Sequence, residues 1–398
     1  MFRDVYVADA VRTPVGKMGG SLKSILPEEL VRHVIAGIVA KNDIACDVID
    51  EVIFGQTKQS TDCPNIARVG SLMAGLPEHI PAYTVHRQCS SGMQAVICGS
   101  MQILTGESDV VLCGGVESMS TAQYYVRNAR YGFGAGNVHM LDPNTESQPR
   151  SQPADIYGEL VMGGTAETLA EQYGIAREEQ DEFAYSSQMK AVAAIDAGRF
   201  AREIISYSVP QGKKPPIIFA VDEFPRKDTT IEKLAGLKPA FKVGGTVTAG
   251  NSSGRNDGAA VLILASREGL KKAGLEPMAK VVSFASAGVD PRIMGIGPVP
   301  ATKKALAKCN LALDQIGLIE INEAFAAQTL ACVKELGIDQ KRLNVNGGAI
   351  ALGHPLGMSG ARILTTLVHQ MREQDERYGL ATICIAGGLG LTTVLSAP

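Results

Sequence analysis

The chain has 398 residues, of which 45% are hydrophobic and 20% charged. That balance supports a large buried core and excludes an intrinsically disordered chain, and the length suits two or three domains. A formal net charge of −3 argues against a general nucleic-acid binder.

The first segment, residues 1–10, carries Arg3, Asp4 and Asp9 and runs straight into a strand pattern over 5–8, so no secretion signal is expected. Pro27-Glu28-Glu29 opens a helix, because proline suits the first turn and acids suit its positive end. Leu30, Val31, Val34, Ile35, Ile38 and Val39 form its apolar face at helical spacing. Residues 51–54 read as a strand ended by Gly55, 65–74 as a helix and 82–86 as a third strand. Gln88-Cys89-Ser90-Ser91-Gly92 leads into an apolar helix ending at Leu104 and Gly106. A fourth strand over 109–113 is expected to close at Gly114-Gly115.

The second half repeats this order. Residues 280–284 read as a strand, 301–308 as a helix, 318–321 as a strand and 323–336 as a helix. A third strand over 343–345 leads into a glycine-rich loop, 346–357, and then a helix over 358–371. A fourth strand, 380–385, closes at Gly387-Gly388, and a last strand covers 392–395. Residues 259–264 are its counterpart in the first half. The pattern is one βαβαβ-loop-αββ unit used twice, which implies mixed or parallel sheets covered by helices. Loops at the strand ends of the two halves can then meet, where open α/β sheets place their sites.

Between the halves lies a different segment. It holds a Pro/Gln-rich stretch over 142–155, helix patterns over 165–173 and 177–197, and a surface turn at Lys213-Lys214-Pro215-Pro216. Long insertions of this kind usually serve binding. The division expected is 1–119 with 249–270 as the N-terminal half, 120–248 as an inserted loop domain and 271–398 as the C-terminal half.

The eight cysteines, at 46, 63, 89, 98, 113, 309, 332 and 384, form no CxxC pair, so no structural zinc site is expected. No apolar run reaches about 18 residues. Leu395-Ser396-Ala397-Pro398 matches no peroxisomal or prenyl signal. A reduced, cytoplasmic protein without a disulfide framework fits these features.

Four features could carry chemistry. Cys89 precedes a helix, whose unpaired N–H groups favour the reactive thiolate; a small structural residue is the plainer reading. His354 lies in a loop too rich in glycine and proline to be helical, placed to take a proton from a nucleophile or merely to stabilise the loop. Cys384 ends a buried strand, where a core role competes with a chemical one. Asn322, in Asn322-Glu323-Ala324-Phe325, could cap the following helix or hold a water or substrate oxygen.

Taken together, Gln88-Cys89-Ser90-Ser91-Gly92, Asn322-Glu323-Ala324-Phe325, Gly353-His354-Pro355-Leu356-Gly357 and Cys384 before a Gly-Gly turn resemble the thiolases, in the family's order. The resemblance runs from Arg12-Thr13-Pro14 to the last strand. It implies an α/β fold of two βαβαβαββ halves, layered α-β-α-β-α, with an inserted loop domain. It also implies acyl transfer between coenzyme A thioesters, in which coenzyme A is substrate and product and no metal or redox cofactor is used. Cys89 then resembles the nucleophile, His354 its base, and Cys384 the acid/base for the α-proton. Asn322 resembles the residue holding a water that forms an oxyanion hole with His354. The backbone N–H groups of Cys89 and Ala386 resemble a second hole. Arg226, Ser253, Met162, Met294 and Phe325 resemble coenzyme A contacts. Homodimers or homotetramers are implied, with no nucleic-acid or membrane partner.

Two positions depart from the family's pattern. Val161 stands where many acetoacetyl-CoA-specific members carry histidine, which leans toward longer or broader acyl groups. Ala386 stands where glycine is common, and a Cβ there resists positive φ. Competing readings are a decarboxylating ketoacyl synthase, a hydroxymethylglutaryl-CoA synthase, a non-catalytic acyl-CoA carrier and a redox-sensing protein. The synthases use a second histidine or a glutamate where this chain has Cys384.

Overall fold

The structure is a computed structural model that describes residues 3–398; Met1 and Phe2, at the start of the expected N-terminal half, lie outside the described residues. The first half contains β1 (Tyr6–Arg12), β2 (Gly16–Lys17), α1 (Pro27–Asn42), β3 (Glu51–Gly55), α2 (Ile66–Met73), β4 (Ala82–Val85), α3 (Ser91–Thr105) and β5 (Val110–Ser118). The middle segment contains α4 (Pro143–Glu146), α5 (Ala154–Tyr157), α6 (Met162–Tyr173), α7 (Arg177–Asp196), β6 (Tyr207–Gln211), β7 (Lys214–Phe219) and α8 (Ile231–Ala235). Then follow β8 (Asn256–Ala265), α9 (Arg267–Ala273), β9 (Ala279–Gly288), α10 (Pro298–Cys309), β10 (Leu318–Ile321), α11 (Ala326–Leu336), α12 (Ala349–Leu352), α13 (Leu356–Gln374), β11 (Tyr378–Ile385) and β12 (Leu389–Ser396).

Ten strands form one mixed sheet in the order β10-β11-β12-β9-β1-β8-β5-β3-β4, with β2 beside β8, and β6 and β7 form a separate pair. Each half repeats the same pairing. β3 is parallel to β5, β5 antiparallel to β8 and β8 antiparallel to β1. Likewise β10 is parallel to β11, β11 antiparallel to β12 and β12 antiparallel to β9. The halves join where β1 meets β9 at Tyr6 and Val7.

Burial explains the layering. All of β5 and β8 is buried, as expected for strands covered on both faces. Helices α3 and α13 share one core with residues from both halves of the sheet, including Val111, Leu262, Ile383 and Leu395. Helices α1 and α2 cover the outside of the first half, and α10 and α11 the outside of the second. This is the α-β-α-β-α order.

Local chemistry sets the helix ends. At the start of α1, Glu29 accepts the Leu26 N–H at 3.0 Å, and Pro27 loses no hydrogen bond at the first turn. The middle segment is fastened to β1 by a buried cation. Arg12 donates to Glu203 at 2.6 Å and to both oxygens of Asp222 at 2.7 and 2.9 Å.

Several sequence expectations are corrected. β5 does not close at Gly114-Gly115 but runs on to Ser118. Those glycines serve close packing, since a side chain on Gly114 would meet Phe54 and the Ala260 carbonyl. The expected strand over 343–345 reduces to a single bridge from Leu343 to Ile319. Asn344 there takes φ 43° and turns its amide onto the backbone of Ile321, which ends the extended run. The surface turn at Lys213 is narrower than expected. Gly212, with φ 63°, makes the turn, and Pro215-Pro216 lie in the two-stranded hairpin β6–β7. The loop over 346–357 contains the short helix α12.

The core is closely packed where β5 meets α3 and α13. A side chain on Gly115 would strike the Gly357 carbonyl and come within 2.8 Å of the Gly92 α-carbon, both backbone atoms that cannot rotate away. Gly115→Ala is therefore expected to cost about 1–3 kcal/mol, read as a lower urea midpoint with an unchanged slope. A midpoint equal to wild type would remove this packing argument.

Candidate active site

Cys89, His354 and Cys384 come from three distant parts of the chain and line one cavity of about 180 Å³. Ala386, Met162, Met294, Phe325 and Ser253 line it too. The sequence reading placed all eight at the site.

Cys89 stands just ahead of α3, as the sequence suggests. What the sequence does not reveal is the bend before it. Gln88 takes φ 45°, a strained left-handed conformation for a residue with a Cβ. The Ser91 N–H and hydroxyl both bond to the Gln88 carbonyl, at 3.0 and 2.7 Å, and hold that bend. Only the tertiary structure signals it, because glutamine has no preference for this region. The Cys89 sulfur is open to the cavity and crowded on its other sides. Burial pushes its thiol up, against the N–H groups of Ala386 and of Cys89 itself, which favour the thiolate. These N–H groups soften the effect of burial without overcoming it.

His354 is held by two hydrogen bonds and by the glycine before it. Its N–H donates to Asn256 Oδ1 at 2.9 Å. Gly353 before it has φ 99°, and a side chain there would collide with Asn256, so glycine is required. Its Nδ1 lies 2.6 Å from Ser359 Oγ. The Ser359 hydroxyl donates to the Pro355 carbonyl at 2.9 Å, so its oxygen must accept from Nδ1–H. That fixes the tautomer and leaves Nε2 unprotonated, the form a base requires, with its lone pair facing the Asn322 amide at 3.4 Å. Burial, helped by the charge of Arg362, lowers the ring to about 3. The sequence reading missed Ser359, although a hydroxyl five residues on in the next helix turn is a signal it could have used.

Asn322 does not cap a helix. Helix α11 begins at Ala326, with Phe325 at the capping position. Asn322 is fully buried, and its Nδ2 lies 3.4 Å from His354 Nε2. The turn that carries it is clamped through Glu323, whose carboxylate accepts from Ser187 Oγ at 2.6 Å, Asn344 Nδ2 at 2.7 Å and the Ile350 N–H at 3.2 Å.

Cys384 ends β11 at 1% exposure. Burial and the neighbouring Cys89 push its thiol well above its ordinary range. Two adjacent thiols that oppose each other's charge do not ionise together. Ala386 does not carry the strain expected of it, since positive φ falls on Gly387 and Gly388 instead.

Arg226 lies off this cavity. It lines a neighbouring one with Phe224 and Gly250, its guanidinium over the Phe224 ring at 5.9 Å. The strip 248–254 runs between the two cavities, held by the Ser253 N–H to the Ala324 carbonyl at 3.0 Å. Phe241, stacked edge-on against Phe325 at 5.9 Å, completes the apolar wall. Among the described residues no three His, Cys, Asp or Glu side chains converge as a metal site.

Comparison with known proteins gives a consistent result. The family profile described as "Thiolase, N-terminal domain" matches residues 5–268, and "Thiolase, C-terminal domain" matches 275–397. An acetyl-CoA acetyltransferase of Pseudomonas aeruginosa is 48% identical over 394 residues, covering 99% of both chains. The crystal structure of Bacillus anthracis acetyl-CoA acetyltransferase superposes with a TM-score of 0.96 at 45% identity, covering 100% of this chain and 99% of the other. Human mitochondrial 3-ketoacyl-CoA thiolase in complex with CoA superposes with a TM-score of 0.94 at 42% identity, covering 100% and 98%.

The neutral His354 has a direct readout. Its ring signals in NMR are expected to stay at neutral-imidazole values from pH 8 down to pH 4, because burial opposes the charged form. In stability terms, the unfolded chain binds this proton below about 6.5 and the folded one only near 3. Folding therefore loses stability as pH falls from 6.5 toward 3, and His354→Asn is expected to flatten that slope. A ring that titrates near 6.5 in the folded protein would contradict both.

Proposed function

This chain belongs to the thiolase family and is an acyl-CoA C-acyltransferase, and from that premise we propose how its own residues divide the reaction. In one direction two acetyl-CoA condense to acetoacetyl-CoA and coenzyme A; in the other, coenzyme A cleaves a 3-ketoacyl-CoA. The observation that carries the assignment is one cavity lined by Cys89, His354 and Cys384, with His354 held as a neutral base.

In the first half-reaction His354 Nε2 takes the Cys89 proton, and the thiolate attacks the thioester carbonyl. The oxygen gains negative charge as the tetrahedral intermediate forms. The N–H groups of Cys89 and Ala386, which already reach the sulfur, are the donors assigned to one thioester oxygen. His354 Nε2–H, with a water held by Asn322, is assigned to the other. The intermediate collapses, the coenzyme A thiolate leaves with the proton from His354, and Cys89 stays acylated.

Acylation removes the negative charge that Cys89 could carry. Cys384 no longer faces a competing thiolate, and its own ionisation becomes easier. It passes its proton to His354, neutral again once coenzyme A has left, and the thiolate so formed removes the α-proton of the second acyl-CoA. The resulting enolate attacks the acyl carbonyl, and Cys89 departs as thiolate and takes the proton back from His354. The reverse sequence gives thiolysis.

Met162, Met294, Phe325 and Ser253 are assigned to the pantetheine arm and Arg226 to the charged end of coenzyme A. The cation in the neighbouring cavity supports that placing. The inserted loop domain, 120–248 in this division, supplies much of that wall. The apolar wall and Val161 favour no single chain length, so longer or broader acyl groups stay within the proposed range. Exposed Tyr131, Phe133 and Met140 in that segment, and the free edge of β4, support a homodimer or homotetramer. All eight cysteines are free thiols, which supports a cytoplasmic setting, and no helix among the described residues is long and apolar enough to cross a membrane.

The test is turnover of 3-ketoacyl-CoAs with acyl chains of four to sixteen carbons; none turned over would sink the proposal. Acetyl-CoA should leave a mass adduct on Cys89 that Cys89→Ser abolishes. Cys384→Ser is expected to keep the adduct while condensation falls by about 10²–10⁴-fold. Arg226→Ala should raise KM for coenzyme A about tenfold or more, as loss of one charged contact does, with little change in kcat. Equal loss in kcat would move Arg226 into the chemistry.

A further inference from the structure

The exchange between Cys89 and His354 has an energetic problem. Burial opposes the thiolate on one partner and the imidazolium on the other. Both charges appear in the step that activates the nucleophile. A fixed cation near the sulfur would ease it, because charges interact strongly where water is excluded.

The segment 55–58 is built to place one. β3 ends at Gly55, so close to the start of α3 that a side chain there would collide with the backbone of Ser91 and Gly92. The next residue, Gln56, packs its α-carbon where a side chain on Gly357 would sit, at 2.9 Å. The segment is thus wedged between the start of the Cys89 helix and the turn after His354. Fully buried Glu117 locks it, accepting the N–H groups of Thr57 at 3.1 Å, Lys58 at 3.0 Å and Gly357 at 3.0 Å. The next side chain out is Lys58. It is half-buried, and its Nζ donates to Ser147 Oγ at 2.5 Å, on the wall of the Cys89 cavity. A hydroxyl, which leaves the ammonium charge unneutralised, is that hydrogen-bond partner.

We propose that Lys58 is a positioning residue for the nucleophile: its ammonium, docked on Ser147, supplies a fixed positive field that favours the Cys89 thiolate when His354 takes the proton. This inference rests on the assignment of Cys89 as nucleophile. The charged groups around it are few. Burial works against the Lys58 ammonium and Arg255 repels it, while Glu117, Cys89 and Asp142 favour it. Cys89 is favoured as thiolate by Lys58 and opposed by Glu117, with Cys384 also facing it. Glu117 is tied up by four donors, including the Thr57 hydroxyl, which blunts its opposition. The sequence analysis passed over Lys58, because nothing near it in the chain reads as chemistry.

The test is the rate of Cys89 alkylation by iodoacetamide against pH in the full-length enzyme, with the modified residue mapped by peptide mass. Lys58→Met should move the profile to higher pH by about one unit, seen as about tenfold slower alkylation at pH 7. Lys58→Arg, which keeps the charge, should stay within about threefold of wild type. Lys58→Gln keeps a donor for Ser147 without the charge, and should behave like Lys58→Met; it also serves if the methionine variant does not fold. Profiles of both neutral variants coincident with wild type would overturn the inference alone. Undiminished turnover in Cys89→Ser would overturn the nucleophile assignment and this inference with it.

Discussion

The site depends on one contact, the backbone-to-backbone meeting of α3 and α13. A side chain on Gly92 would come within 2.8 Å of the Gly357 carbonyl and 3.0 Å of the Ala361 nitrogen. One on Gly360 would come within 2.6 Å of the Met93 nitrogen. Each helix carries a group assigned to the reaction just ahead of its first turn: Cys89 before α3 and His354 before α13. Removing side chains from the junction brings those two helix starts together. Rigid close packing then transmits any change there directly to the cavity.

The electrostatics follow from that burial. At rest the reacting groups are uncharged, with both thiols pushed up and the imidazole pushed down. Hydrogen bonds orient them without charging them, Ser359 for His354 and Ala386 for Cys89. Charge enters only as a thioester reacts, where pre-aimed donors stabilise it most. Away from the cavity the buried Arg12 is paired with Glu203 and Asp222. That network sets the inserted segment against β1, and so fixes the far wall of the cavity.

Much of this was legible in the chain. Strand and helix periodicity revealed the duplicated order, because each half must bury the same faces. Four short motifs pointed to the candidate reacting residues through their resemblance to the thiolases. Helix and strand ends were less legible. Gly114-Gly115 read as a turn and is the middle of a strand, because the demand for glycine there comes from Phe54 and Gly357, far away in the chain. Asn322 read equally as a cap or a ligand, and the structure removes the cap, because α11 starts only at Ala326.

The sequence by itself determined the repeat, which follows from local periodicity, while the layer order and the candidate reacting groups came from its resemblance to the thiolases. Tertiary structure decided what no local pattern encodes. It set the strained bend at Gln88, the tautomer of His354 through Ser359, and the relief of strain at Ala386 by its glycine neighbours. It also brought Lys58 beside a nucleophile thirty-one residues on. Each of these depends on atoms that meet only after the two halves fold together, and burial then sets how strongly they act.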